Sequence, residues 1–414
     1  MDKAGTAPAA PDGPDILQTA PLRVIDPLHR AIAARAAQVP VPQMQASRLF
    51  RSTLMGGFEC ASQRHRPKQR LDLLASTGHA RFAAQDYRAL AAHSLRTVRD
   101  GLRWHLIERV PGQYDWSSFL PMLHAAHDTG TEVIWDLCHY GWPDALDIWA
   151  PDFPARFADF AGAAARVVLG VTGPGAAYVP INEISFWAWA GGSKGFINPH
   201  AKRRGSALKT VLLKAALAGI AAIRAADPQA RIIVAEPAIH VIPKSARTAD
   251  IRAARAYSAA QFEAVDALTG RARPELGGRP DCVDVVGLNY YIYNQWVDGG
   301  KPVAMDDLRY RPLRDLLRAT HARYGKPLFL SETGIEGEMR APWLRVIATE
   351  VAAAQAAGVP VEGLCLYPVT DYPGWGDGRH CETGLLGFPD AGGTRPVDAP
   401  LAQELARLVA ALRP

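Results

Sequence analysis

Two stretches end on the residues best suited to chemistry: YVPINE, Tyr178 to Glu183, and PLFLSE, Pro327 to Glu332. Each is an apolar run of β type that closes on a glutamate, a residue rarely left at the end of a buried strand without a partner or a task. The pattern recurs along the chain. Other strand-like runs end at Glu59, at Arg99 and Asp100, at Asp136 and His139, at Glu236, at Asn289, Tyr290 and Tyr291, and at Tyr367 with Asp371 just beyond. Like charges gathered in one cleft repel unless cations or protons compensate, so a mouth this rich in carboxylates indicates a site. Trp104, Trp135, Trp142, Trp187, Trp189, Trp296 and Trp375 fall in or just past the same stretches. Helix packing accounts for tryptophans one at a time, but aromatic faces beside acids and amides also suit a sugar ring and its hydroxyls. Two carboxylates at such a mouth suggest glycoside hydrolysis, in which one protonates the departing oxygen and the other attacks the anomeric carbon or activates water. The two acids need unequal proton affinities, and a cation such as Arg99 would keep one of them ionised. The count of acids alone does not fix which two take these roles.

These residues need elements to hold them in a ring. From about residue 53, short runs rich in β-branched and apolar residues alternate with longer amphipathic Ala/Leu/Arg helices, the pattern of βα units around a parallel sheet. Eight candidate strands can be read: TLMGGFEC, SLRTVRD, TEVIWDLCH, AAYVPINE, RIIVAEP, DVVGLNYY, PLFLSE and VEGLCLYP. Helical segments such as PDFPARFADFAGAAARVVLG and ALKTVLLKAALAGIAAIRAAD lie between them, the latter closing on Asp227-Pro228. Eight such units predict a single-domain (β/α)8 TIM barrel over residues 49–414, with its active site at the C-terminal ends of the strands. Residues 1–48, rich in Ala and Pro, are expected to form a flexible extension outside the barrel, with PLHRAIAARAAQ as one short helix.

The composition narrows the function. The chain has 414 residues, and Lys plus Arg exceed Asp plus Glu by only five, with no basic run beyond Lys202 to Arg204, so no nucleic-acid footprint is expected. The first twenty residues lack an uninterrupted apolar stretch, and no later window of the sequence reads as a membrane span, so a soluble cytoplasmic protein is the expectation. Cys60, Cys138, Cys282, Cys365 and Cys381 are odd in number, far apart and without CxxC spacing, which favours buried free thiols over disulfides or a metal centre.

INE at Ile181 to Glu183 and SETG at Ser331 to Gly334 resemble the acid/base and nucleophile motifs of clan A glycoside hydrolases. The closer likeness is to family 1, the β-glucosidase family. VRDGLRWHLIERVPGQYDW is similar to its second-strand segment, DLCHYGWPDAL to its His-Trp-Asp-Leu-Pro segment, and DVVGLNYYIYN to its Asn-Tyr-Tyr strand, while LYPVTDYPGW stands where its Asp-Asn-Phe-Glu-Trp motif would be. The resemblance runs from about residue 53 to 390. It implies a retaining mechanism without metal or cofactor, with Glu183 as general acid/base and Glu332 as nucleophile. It also implies that Asn182 contacts the sugar 2-hydroxyl, that Arg99 and Tyr291 hold Glu332, that His139 binds the glycone, and that Asn289, Gln63 and Trp375 support the sugar. Retention further requires the two carboxyl groups to stand about 5–5.5 Å apart.

The departures bear on specificity. Gly374 occupies the position of the family's glycone-recognising Glu, which leaves Asp371 or Glu59 as candidates to replace it. No pattern for 6-phospho-sugars is seen, and Arg379 and His380 are read as closing a loop rather than meeting an anion. The substrate is expected to be a small carbohydrate or glycoside, with oligomeric state, sugar and linkage left open. Two other readings stand beside β-glucosidase-like hydrolysis. One is a different clan A activity, endo-acting or glycosyl-transferring, which an open groove lined by tryptophans would indicate. The other is a non-catalytic sugar-binding barrel, against which the pairing of both glutamates with Asn182 and Arg99 argues.

Overall fold

The computed structural model describes residues 22–66 and 69–413. Eight strands close into a parallel barrel in chain order: β1 Leu54–Gly57, β2 Thr97–Gly101, β3 Glu132–Asp136, β4 Ala177–Val179, β5 Arg231–Pro237, β6 Val285–Asn289, β7 Leu328–Thr333 and β8 Val361–Leu366. Six lie within their expected stretches and two, β2 and β7, run one residue past theirs to Gly101 and Thr333; β1 pairs with both β2 and β8, so the sheet has no free edge. Val, Ile and Leu fill these strands because both faces are buried, one by the barrel interior and one by the helices.

The helices form for ordinary reasons. Phe153–Thr172 starts with a proline in its first turn and ends at Gly173, while Gly205–Ala226 stops at Asp227 before Pro228. These two pack on one another, and Gly219 permits the close approach: a Cβ there would stand 2.6 Å from the Phe157 ring. Gly205–Ala226 is also the one helix among the described residues that is long and apolar enough to cross a membrane, but Leu208, Leu212, Leu213, Ile220 and Ile223 bury one face in the barrel core.

Part of the segment expected to lie outside the barrel falls before residue 22, beyond the described residues. The remainder is packed on the barrel. Leu22–Gln38 is a helix, longer than the short one expected, and rests against the helix Arg340–Ala356 with Ile32 in the main core. Met44 is buried too, the Gln45 backbone bridges to Arg413, and Glu362 accepts from the Ser47 hydroxyl and from the Arg48 N–H. The apolar spacing of Leu28, Ala31 and Ile32 gives this helix a face to bury, which a reading weighted toward Ala and Pro content overlooks.

Candidate active site

Strand alternation sorts the polar ring into inward and outward members. On β2, Arg99 turns into the barrel and Asp100 turns out to the helix layer, where it accepts from Tyr87 and pairs with His79, so Asp100 leaves the mouth. Arg99 is fully buried, and all five of its N–H groups are used. Nε and Nη2 grip the two oxygens of Asp136 at 3.0 and 2.7 Å, Nη2 also donates to Asn182 at 2.6 Å, and Nη1 donates to Glu332 at 2.6 Å and to the Ser331 carbonyl. Burial would push the Asp136 carboxyl up, but Arg99 and His139 outweigh it and hold Asp136 below its ordinary value.

Glu332 therefore receives one donor from Arg99 and, on its other oxygen, the Tyr291 hydroxyl at 2.8 Å. Tyr290, the alternative on that strand, turns away to bond Tyr310 at 2.7 Å. Each carboxylate oxygen of Glu332 thus meets one donor.

Glu183 sits in a different setting. It begins the short helix Ile184–Trp187 with φ 43° and ψ 60°, a left-handed conformation uncommon outside glycine and found where surroundings over-determine the backbone. Its carboxyl accepts from the Tyr140 hydroxyl at 2.5 Å and from Asn289 Nδ2 at 2.9 Å, and Asn289 is oriented in turn by the Ser331 hydroxyl. Burial is the largest influence and the charge of Glu332 adds to it; together they push Glu183 up to about 8 against the lowering effect of its two donors. Glu236 stands behind, accepting from the Ser185 N–H, and burial pushes it up to about 7.

Asn182, His139 and Tyr140 link the two halves. Asn182 Nδ2 donates to the Tyr140 oxygen at 2.9 Å and lies 3.0 Å from His139 Nε2, while His139 Nδ1 meets Asp136 at 2.9 Å. A proton on Nδ1 satisfies both contacts, leaving Nε2 as an acceptor. The Asn182 amide and the His139 ring are thus engaged with each other, so a sugar would share or displace these bonds. Cys60 joins this base, 3.2 Å from His139 Nδ1, and its thiol is pushed well up by burial and by Asp136. Cys60, Asp136 and His139 are the one trio of metal-ligating type drawn together among the described residues, but both Asp136 oxygens already belong to Arg99.

Gln63 is fully buried, and neither its amide oxygen nor its nitrogen has a hydrogen-bond partner, a state that calls for an occupant. Trp375 packs edge-on to Tyr140 with ring centroids 5.9 Å apart. The other tryptophans mostly answer to packing. Trp104 stacks on Phe160, Trp135 meets Phe119 edge-on, Trp296 meets Tyr257, and the indole nitrogens of Trp142 and Trp187 are spent on the carbonyls of Leu146 and Asn198. Asp371 is not brought to the cluster: one oxygen takes the Gly384 N–H and the other His380 Nε2, closing a loop. Arg379 is paired with Glu336. Tyr140 is the member that sequence reasoning passed over. It stood beside His139 as an aromatic neighbour, and nothing in residue type announces a phenol at φ 66° aimed at Glu183.

No protein-family model matches the chain, and no curated protein matches it in sequence. Solved structures do match in fold. A family 1 β-glucosidase from Thermotoga maritima superposes with a TM-score of 0.69 at 16% identity, over 89% of this chain and 95% of its own. The same organism's β-glucosidase in complex with glucoimidazole gives 0.70 at 16% identity, over 89% and 96%. A rice β-glucosidase mutant in a covalent complex with Glc gives 0.69 at 16% identity, over 92% and 99%. The likeness is one of fold, carried by the closed eight-stranded barrel.

Proposed function

We propose that this chain is a divergent family 1 type glycosidase that hydrolyses a β-linked glycoside with retention, using Glu332 as nucleophile and Glu183 as general acid/base. The observation that carries the reading is the contrast between two glutamates at one mouth. Glu332 is clasped by a guanidinium and a phenol, whereas Glu183 is held up at about 8 and so keeps its proton at neutral pH.

In the first half of the reaction Glu183 gives its proton to the departing oxygen while Glu332 attacks the anomeric carbon, forming a glycosyl-enzyme ester with inverted configuration. The ester withdraws charge from Glu332, which removes the neighbour that pushes Glu183 up, so the deprotonated Glu183 is suited to act as base. It then takes a proton from water as that water attacks the same carbon, and the second inversion restores the original configuration. Asn182 and His139 line the glycone side of this path, and Gln63 offers an unsatisfied amide to sugar hydroxyls. The engagement of Arg379 with Glu336 favours a neutral over a phosphorylated glycone.

The test is turnover of aryl β-glycosides (glucoside, galactoside, fucoside, xyloside and 6-phospho-glucoside) by wild type and by Glu332→Ala. The expected result is hydrolysis of a neutral member, lost in the variant and rescued by azide as the α-glycosyl azide. Inactivity of wild type on every member would contradict the reading.

A further inference from the structure

The carboxyls at and just past the strand ends can be separated by what they already bind. Asp100 belongs to Tyr87 and His79, Asp136 to Arg99 and His139, Asp371 to Gly384 and His380, and Glu236 to the Ser185 N–H. Glu332 and Glu183 are each met on both oxygens. Glu59 is different. It leaves β1 just where β1 lies between β2 and β8, and it is only 6% exposed. One oxygen accepts from the Ala61 N–H at 3.0 Å, and the other has no hydrogen-bond partner among the described residues.

Its surroundings are those of the site. Burial pushes the Glu59 carboxyl up and the charge of Glu332 adds to it, while the Ala61 N–H and Arg99 oppose them. Glu59 in turn acts on the Tyr140, Tyr291, Tyr367 and Tyr372 phenols. Four residues further on, in the loop that follows β1, is Gln63, fully buried with its amide oxygen and nitrogen both unpaired. The Gln63 amide, buried with neither atom partnered, would be costly if permanently so, and the second Glu59 oxygen is open to a donor. The cost is met if something polar reaches that amide.

We infer that Glu59 is a glycone-specificity residue, accepting through its unengaged oxygen a hydrogen bond from a hydroxyl of the sugar that Gln63 also holds. A vicinal diol fits this pair of groups: one hydroxyl donates to Glu59 while accepting from Gln63 Nε2, and its neighbour donates to Gln63 Oε1. Gly374 has no side chain to supply such a contact from the strand-eight side, and both Asp371 oxygens are spent in their loop. The inference rests on the glycosidase reading and deepens it.

The experiment compares wild type, Glu59→Gln and Glu59→Ala on the best glycoside of the panel and on its ring-deoxy analogues, each lacking one hydroxyl. Glu59→Gln keeps an acceptor for the Ala61 N–H, and thermal melts of all three proteins check that the barrel survives. The expected result is a fall in kcat/KM of about 10- to 100-fold on the parent glycoside in Glu59→Ala, the size of losing a hydrogen bond to a charged group. The same variant should lose little on the one deoxy analogue that lacks the contacted hydroxyl. Equal losses on the parent and on every analogue would overturn the inference and make Glu59 structural. An inactive wild type that takes no covalent label from a 2-fluoro-glycoside would instead refute the glycosidase reading beneath it, so the two failures are told apart.

Discussion

At the scale of single residues, the proposed chemistry rests on how neighbours set the proton affinity of Glu183. As the proposed general acid, held up at about 8, it is protonated at neutral pH and loses its proton as pH rises, so kcat/KM is expected to fall on the alkaline side near 8. Two substitutions should move that limb in opposite directions. Tyr140→Phe removes a donor that stabilises the charged carboxylate, which shifts the limb upward and slows turnover by about 10-fold or more. Glu236→Gln removes a negative neighbour that disfavours the charged carboxylate, which shifts the limb downward. A pH–rate profile of the three proteins checks both signs, and identical profiles would contradict the assignment of Glu183. INE and SETG made the two glutamates legible in the sequence. The role of Tyr140 was not legible, because it depends on a left-handed backbone fixed by surrounding packing.

At the scale of elements, the strand ends are braced from behind by a buried charge cluster. His79 contacts Asp86 at 2.7 Å and Asp100 at 2.8 Å, and Arg395 clamps Asp86 from the C-terminal loop. Burial alone would push His79 down, but Asp100 and Asp86 outweigh it and raise it to about 9. Since the folded value exceeds the unfolded one, the stabilisation is fully present below about 6.5 and is lost as pH rises through about 9. His79→Gln should therefore be destabilised at pH 6 by an amount on the order of 3 kcal/mol, and by far less at pH 10. Urea unfolding at both values measures this, and a deficit independent of pH would show that packing, not charge, carries the residue. β1 offers a second test. A Cβ at Gly57 would overlap the Tyr367 ring, so Gly57→Ala should displace that ring from beside Arg99 and lower stability by about 1–3 kcal/mol. The eight strands could be read because each is an apolar run closed by polar residues. Which side each polar residue takes depends on exact strand register, and a one-residue difference sends Asp100 to the helix layer and Arg99 to the centre.

At the scale of the whole molecule, the barrel is clasped near both ends of the chain: Leu22–Gln38 lies on the helix Arg340–Ala356, and Gln45 bridges to Arg413. Ile32→Ala should cost about 2–5 kcal/mol, and removal of residues 1–48 should lower the melting temperature by uncovering the same apolar surface. An unchanged melt after truncation would contradict that packing. The mouth of the barrel was legible as a site from its carboxylates, but the tryptophans were not legible as packing, since an indole reads alike at a strand end whether it faces sugar or helix. Double displacement through Glu332 can be caught by covalent trapping. The protein is incubated with the 2-deoxy-2-fluoro analogue of its preferred glycoside, bearing a good leaving group, and its intact mass and peptides are then measured. One fluoroglycosyl group per chain is expected, on the peptide that contains Glu332. A label on another carboxyl, or turnover of the parent glycoside with inverted configuration and no label, would contradict it.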